Sequence, residues 1–270
     1  MKQCPSCGAW IEDGTRFCTE CGAALNTPSA QSAQTAKAAA GGALILGQAA
    51  RQARLEADYT GAKIISDRLY NAILLGTLLW GLLVNVVLCY TVGDVYRYLS
   101  PMLFLVLYLV CAFAGVMIAG KSRNPRISYL GYNLVVVPFG LVISTLVEAY
   151  GGVSSGLVAD AFTYTLLISL GMMGAALAFP QLFQKLGGAL LGCLVGLILC
   201  EIVLLILGVD QRVSDWLAAG LFSLYIGYDV YRSQQFVKTV DNAVDSALDI
   251  YLDIANLFIR LLEILGRRKK

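Results

Sequence analysis

Hydrophobic residues are concentrated in seven stretches of the chain, all after about residue 68. The stretches lie at about 69–91, 102–119, 130–150, 161–179, 186–207, 216–231 and 247–265. A helix needs roughly 17 to 25 residues to cross a bilayer, and each stretch is close to that length, with the sixth on the short side. Small residues are frequent within them, as is usual where helices pack closely in lipid. The pattern predicts an all-α membrane protein built as a bundle of seven transmembrane helices.

The part of the chain before these stretches is polar and divides in two. Residues 1–25 hold four clustered cysteines, and residues 26–62 are rich in Ala, Ser and Gln. Such a composition predicts a flexible linker, although the second half of this segment could also form a helix on the membrane surface. The membrane domain is therefore expected at residues 63–270.

The four clustered cysteines have the spacing of a zinc ribbon. Cys4 and Cys7 form one Cys-x-x-Cys pair, and Cys18 and Cys21 form a second pair. Two such pairs are the usual halves of a tetrahedral site in which four thiolates hold Zn²⁺. Four protein ligands leave no open coordination position, so the predicted zinc is structural. The alternative for the same spacing is a set of redox dithiols or disulfides.

Composition narrows the class of protein further. Hydrophobic residues make up 58% of the chain and charged residues 14%, whereas soluble domains have about a quarter of their residues charged. The chain contains no histidine, which removes Ser-His and Cys-His nucleophile pairs, and we expect no enzymatic activity. The net charge of +2 does not indicate a nucleic-acid partner. The N-terminus lacks the apolar region of a cleavable signal peptide.

Basic residues between the stretches predict the orientation. They are more frequent before the first stretch and in the second, fourth and sixth connections than in the alternate loops. The positive-inside rule then places the zinc ribbon in the cytoplasm and the spans in the cytoplasmic membrane. The basic C-terminus, Arg267 to Lys270, conflicts with seven full crossings. Either the seventh segment crosses despite its tail, or it enters the membrane and returns as a half-span.

Two aspartates lie within the last two apolar stretches. Asp229 follows Tyr228 at the end of the sixth, and Asp253 lies in the sequence Tyr251-Leu-Asp-Ile-Ala-Asn-Leu-Phe of the seventh. A carboxylate at membrane depth is costly and usually faces a polar interior. The two strings resemble the signature motifs of the Bax inhibitor (transmembrane Bax inhibitor motif) family. The resemblance covers about residues 65 to 267.

The resemblance implies a fold and a function. The fold is six helices around a central seventh, and the function is a pH-sensitive leak of calcium gated by a buried aspartate pair, here Asp229 and Asp253. In some relatives a basic residue near the end of the second helix locks the pair, and Lys121 or Arg123 would correspond to it. Two carboxylates held close in a low dielectric do not both ionise easily and tend to share a proton. Such a pair is also a ligand set for a hard cation such as Ca²⁺.

Other polar residues of the apolar stretches leave alternatives open. Asp241, Asp245, Asp249 and Asp253 recur every four residues, and this stripe could instead be the solvated face of a helix outside the membrane. Asp249 and Glu201 are further candidates for gating partners, and Glu201 could also pair with another helix. Arg260 and Glu263 are expected to extend toward the membrane interface.

A second function also agrees with the sequence. The chain could be a regulatory or adaptor membrane protein, for example of membrane proteolysis or a stress response, that docks a protein partner through its zinc ribbon. The predicted partners are therefore the lipid bilayer, a cation such as Ca²⁺, and a protein at the ribbon.

Overall fold

The chain consists of two compact units. The computed structural model describes residues 2–3, 10–11, 63–95, 98–208 and 212–268. The first unit, Met1–Ala49, contains strands β1 (Lys2–Gln3) and β2 (Trp10–Ile11), which pair antiparallel. The four cysteines of the predicted zinc ribbon and the predicted linker lie outside the described residues.

The second unit, Ala50–Lys270, is helical where it is described. Seven of its helices have 21 or more residues, and α5 is a single short turn of five residues that the apolar pattern did not predict. The helices are α1 (Asp67–Thr91), α2 (Pro101–Lys121), α3 (Pro125–Ala149), α4 (Gly156–Ala178), α5 (Pro180–Gln184), α6 (Gly187–Leu207), α7 (Arg212–Gln235) and α8 (Val240–Arg268).

Polar residues at the helix starts explain why the helices extend beyond the apolar stretches. The side chains of Ser66, Ser100 and Asn124 accept hydrogen bonds from backbone N–H groups in the first turns of α1, α2 and α3. Pro101 and Pro125 occupy the first helical positions, where a missing N–H is no loss. The caps therefore stabilise helix starts that lie outside the apolar stretches.

Five helices are long and apolar enough to cross a membrane. They are α1, α2, α3, α4 and α6, among the residues that the structure describes. Large apolar side chains on their outer faces are exposed, for example Leu79, Leu107 and Ile206, as expected for surfaces in contact with lipid. α7 and α8 carry more charged residues, so their crossing remains a prediction.

The last helix lies in the centre of the helical unit. α8 packs against α1, α3, α4 and α7, and most of its side chains are buried. It is continuous over 29 residues, about 43 Å at 1.5 Å per residue, so it does not turn back as a half-span. Its start is capped by Thr239, whose hydroxyl accepts a hydrogen bond of 3.2 Å from the N–H of Asn242.

Candidate functional site

The aspartates predicted to form a pair are both buried within the helical unit. The exposed fraction is 4% for Asp229 and 8% for Asp253. Asp229 lies in a segment of α7, residues 225–230, in which every side chain is buried. Asp229 is therefore shielded from water, although it lies toward the end of its helix.

Two glycines let neighbouring helices close over this segment of α7. A Cβ atom at Gly227 would clash with the ring of Phe183 on α5. A Cβ atom at Gly187, the first residue of α6, would clash with the ring and hydroxyl of Tyr228. The short helix α5 therefore packs closely on Gly227, and the start of α6 packs closely on Tyr228.

The register of α7 against α8 brings the two aspartates to a similar depth. Near the start of α7, Asp215 contacts Arg260 and Arg267 on α8. Asp229 lies about 21 Å further along α7 at 1.5 Å per residue. Because the two helices run antiparallel, an equal distance back along α8 reaches Ser246 when it is counted from Arg260 and Asp253 when it is counted from Arg267.

The orientation of Tyr251 fixes how α8 is rotated at this depth. Its hydroxyl donates a hydrogen bond of 3.0 Å to Asn85 Oδ1 on α1, and its ring contacts Tyr132 and Phe139 on α3. A residue two positions further along a helix points about 200° away. Asp253 therefore points away from α1 and α3, toward the side where α4 and α7 pack.

The aspartate stripe on α8 is largely buried. Asp241 and Asp245 are buried, as is Asp253, and Asp249 is half-buried. Asp241 accepts a hydrogen bond of 2.5 Å from the hydroxyl of Ser128 on α3. The alternative of a solvated helix face is therefore wrong. The stripe drifts by about 40° every four residues, so Asp241 and Asp253 face different neighbouring helices.

A lysine caps the end of α7, in the loop just before the start of α8. Lys238 Nζ donates hydrogen bonds to the carbonyl oxygens of Ser233 and Gln234, at 3.1 and 2.9 Å, and lies 4.3 Å from the ring centroid of Tyr70. These bonds satisfy carbonyl groups at the end of α7. Burial lowers the pKa of Lys238, and the carboxylate of Asp67 partly opposes that shift.

The predicted gating partners do not all lie near the aspartate pair. Lys121 and Arg123 are exposed at the junction of α2 and α3. Asp249 is on the stripe, at the depth of Asp229. Glu201 belongs to a different cluster toward the far end of α8, where it forms an ion pair with Arg260. A gating role for any of these residues stays a prediction.

The cluster at the far end of α8 joins three helices. Arg260 Nη2 lies 2.8 Å from Glu201 Oε1 on α6, and Arg260 Nη1 lies 3.0 Å from Asp215 Oδ1 on α7. Glu263 is 3.5 Å from Arg260, and Arg267 is 2.7 Å from the second oxygen of Asp215. Arg260 therefore does not simply extend to the membrane interface. It links α8 to α6 and α7 within the protein.

Three polar residues of the buried interior were not predicted. Asp215 is fully buried, Ser128 binds Asp241, and Ser169 on α4 is buried with a hydroxyl that makes no hydrogen bond in the described part of the chain. Asp215 lies just before the sixth apolar stretch, in a position that the apolar pattern does not assign to a span. A serine within an apolar stretch gives no sequence signal that distinguishes a helix contact from a buried polar site.

The buried acids do not form a ready metal site. Within the described ranges, no group of three or more Asp, Glu, Cys or His side chains is arranged to hold a metal ion. The geometry instead provides carboxylates on two packed helices at a similar depth.

The fold and the site together define a multi-pass, all-α membrane protein with buried carboxylates on its central helix. The chain belongs to the family described as inhibitor of apoptosis-promoting Bax1, whose sequence model matches residues 64–270. Residues 3–25 match a zinc-ribbon domain. The resemblance drawn from the motifs around Asp229 and Asp253 is thereby confirmed.

Similar proteins come from Helicobacter pylori and Campylobacter jejuni. Uncharacterized proteins of two Helicobacter pylori strains are 33% and 35% identical over 167 residues, which is 58% of this chain and 68% of each relative. An uncharacterized protein of Campylobacter jejuni is 30% identical over 128 residues, 46% of this chain and 53% of the relative. Their descriptions assign no activity that could be transferred.

Proposed function

We propose that the protein is a cation leak of the cytoplasmic membrane, gated by Asp229 and Asp253, with Ca²⁺ as the expected ion. The observation that carries the proposal is the burial of both carboxylates on two helices that pack against each other. A membrane helix retains such groups at a cost in insertion, which favours a role in ion or proton movement.

The gating step follows from the chemistry of two nearby carboxyl groups. When the groups share a proton, a hydrogen bond between them holds α7 against α8. When both are ionised, their charges repel, and the two helices are favoured to separate at this depth. A change in protonation thus shifts α7 and α8 between a closed and a separated arrangement. In the separated arrangement both carboxylates are charged and attract a cation. The half-buried Asp249 adds negative charge at the same level.

The leak is tested by calcium flux into proteoliposomes that contain the purified protein, measured from pH 6 to 8. We expect flux that rises with pH, and loss of that dependence in Asp229→Asn and Asp253→Asn. Asp160→Asn is the matched control, because Asp160 is an exposed aspartate on α4. Folded protein with no flux at any pH, or unchanged flux in both variants, would contradict the proposal.

A second candidate is an adaptor function of the zinc ribbon. The observation that favours it is the zinc-ribbon match at residues 3–25, which lies outside the part of the chain that the family model covers. In this function Cys4, Cys7, Cys18 and Cys21 hold a structural Zn²⁺, and the folded ribbon binds a cytoplasmic protein. Cross-linking in cells should give a partner that is lost in Cys18→Ser and kept in Asp253→Asn. A partner that survives Cys18→Ser would argue against docking through the ribbon.

A further inference from the structure

The hydroxyl of Ser169 is a buried polar group without a hydrogen bond. Ser169 lies near the middle of α4 with an exposed fraction of 4%, and its Oγ atom has no hydrogen-bond partner in the part of the chain that the structure describes. A hydroxyl in this state lowers the stability of the fold, because it gives up its hydrogen bonds to water and gains none in return. Its presence therefore calls for a role other than packing.

Other hydroxyl groups of α4 are satisfied by the helix itself. Thr163 and Thr165 donate hydrogen bonds of 2.8 and 2.7 Å to the carbonyl oxygens of Ala159 and Ala161, each four residues back. A serine within a helix can make the same bond, yet Ser169 does not. Its hydroxyl is thus left for a ligand that the protein itself does not supply.

Ser169 faces the interior of the helical unit. It belongs to the buried face of α4, together with Ala161 and Thr165. The helices that α4 packs against are α7 and α8, with the short α5 at its end. The hydroxyl of Ser169 therefore lies where α4 meets the two helices that carry Asp229 and Asp253.

The direction of α4 follows from the position of α3. Ser128 contacts Asp241 near the starts of α3 and α8. Tyr150, which follows α3, lies against Gly266 near the end of α8, since a Cβ atom on that glycine would clash with the tyrosine ring. The two helices are therefore parallel. α4 returns antiparallel to them, toward the end of the unit where Phe183 of α5 packs on the second half of α7.

The depth of Ser169 is close to that of Asp253. Ser169 lies about 20 Å from the start of α4 at 1.5 Å per residue. An equal distance back along α8 from Gly266 reaches Asp253. Asp253 also points toward the side where α4 and α7 pack, because Tyr251 on the opposite side of the helix contacts α1 and α3. The fold thus brings a hydroxyl and a carboxyl group to the same part of one interface.

We infer that Ser169 is a ligand of the conducted cation and supplies a neutral oxygen from α4 beside the carboxylate of Asp253. The inference rests on the leak proposed above and adds a third helix to its ion site. A hard cation such as Ca²⁺ takes about six to eight oxygen ligands, and two carboxylates do not provide that number. Within the described ranges no third acid completes the set, so neutral oxygens are required.

The test is calcium flux into proteoliposomes that contain the full chain, at a pH at which the wild type conducts. We expect Ser169→Ala to lower the flux about tenfold, because each passing ion loses an oxygen ligand. Thr165→Val is the matched control. Thr165 lies one turn earlier on the same buried face, and its hydroxyl is already bonded to the Ala161 carbonyl, so flux should be unchanged. Thermal unfolding should show that Ser169→Ala is no less stable than the wild type, since no hydrogen bond within the protein is lost.

A cysteine at the same position tests the ligand role by a gain of sensitivity. Ser169→Cys keeps the size of the side chain but presents sulfur, which prefers soft metal ions to hard ones. We expect the thiophilic ion Cd²⁺ to block flux through Ser169→Cys at a much lower concentration than it blocks the wild type or Thr165→Cys.

The outcomes distinguish this inference from the leak itself. Unchanged flux in Ser169→Ala, an equal loss in Thr165→Val, or equal sensitivity of Ser169→Cys and the wild type to Cd²⁺ would overturn the role of Ser169 and leave the leak in place. Folded wild-type protein without flux would contradict the leak, and the ligand role with it.

Discussion

Arg260 is the single residue on which most polar contacts at the far end of α8 depend. It has an exposed fraction of 20% and contacts the fully buried Asp215 as well as Glu201. We predict that Arg260→Gln lowers the free energy of unfolding by about 3 kcal/mol, because removing one partner of a buried pair leaves the other charge uncompensated. Because Arg267 still contacts Asp215 in this variant, we expect no larger loss of stability. Unfolding in mixed micelles measures the change.

A matched variant distinguishes the effect of losing this ion pair from the effect of losing any arginine. Arg126→Gln, at an exposed position of α3, should change stability by less than about 0.5 kcal/mol. Combining Arg260→Gln with Glu201→Gln should cost less than the sum of the two single changes, because both remove the same contact. Strict additivity would show that the two side chains do not interact in the folded protein.

The hydroxyl of Tyr251 is predicted to be important for packing at the depth of the aspartates. Tyr251→Phe removes its hydrogen bond to Asn85 and leaves a buried amide oxygen without that donor. We expect a loss of about 1 to 2 kcal/mol in the free energy of unfolding. Tyr98→Phe is the control, because Tyr98 is 70% exposed. Equal effects of the two changes would contradict the assigned role.

At the scale of elements, α2 and α3 approach each other through two glycines. A Cβ atom at Gly115 would lie 2.7 Å from the carbonyl oxygen of Gly131, and one at Gly131 would lie 2.8 Å from the backbone nitrogen of Ala119. We predict that Gly115→Ala destabilises the protein by about 1 to 3 kcal/mol, since backbone atoms must move apart. Gly171→Ala on α4, where a Cβ atom would meet nothing within 4 Å, should be neutral or stabilising. Apparent melting temperatures in detergent rank the three proteins.

The elements show why part of the structure was predictable. Runs such as residues 102–119 contain no charged or amide side chain, and length alone then identifies a helix that can span a bilayer. α5 was missed because five residues give no periodicity, and its role is set by the contact of Phe183 with α7. The placement of Asp229 and Asp253 followed from a family motif. The pairing of Glu201 with Arg260 did not, because it depends on the rotation of two helices that are distant in sequence.

At the scale of the whole molecule, we predict that loss of structure in the first unit does not change the stability of the helical unit. Cys18→Ser removes one of four thiolate ligands, and a ribbon of about 25 residues depends on its metal for folding. We expect loss of the bound zinc, measured by elemental analysis, together with unchanged helicity and melting of the helical unit. Cys193→Ser, an exposed cysteine of α6, should retain zinc. A large drop in melting temperature on loss of zinc would contradict the independence of the units.

The direction in which α8 crosses the membrane is also a property of the whole molecule. Because α8 is one continuous helix that runs antiparallel to α7, its last turn, with Arg267, lies at the end of the bundle opposite Lys238. The positive-inside rule opposes that placement when the chain inserts, whereas the contacts of Arg260 and Arg267 with Glu201, Asp215 and Glu263 favour it once the helices have packed. We therefore predict that a reporter fused after Lys270 lies on the side of the membrane opposite the N-terminus. A reporter fused after Gln235, with α8 removed, should lie on the same side as the N-terminus, since one fewer helix crosses. If both fusions report the same side, α8 does not cross, and Asp253 would not lie at membrane depth.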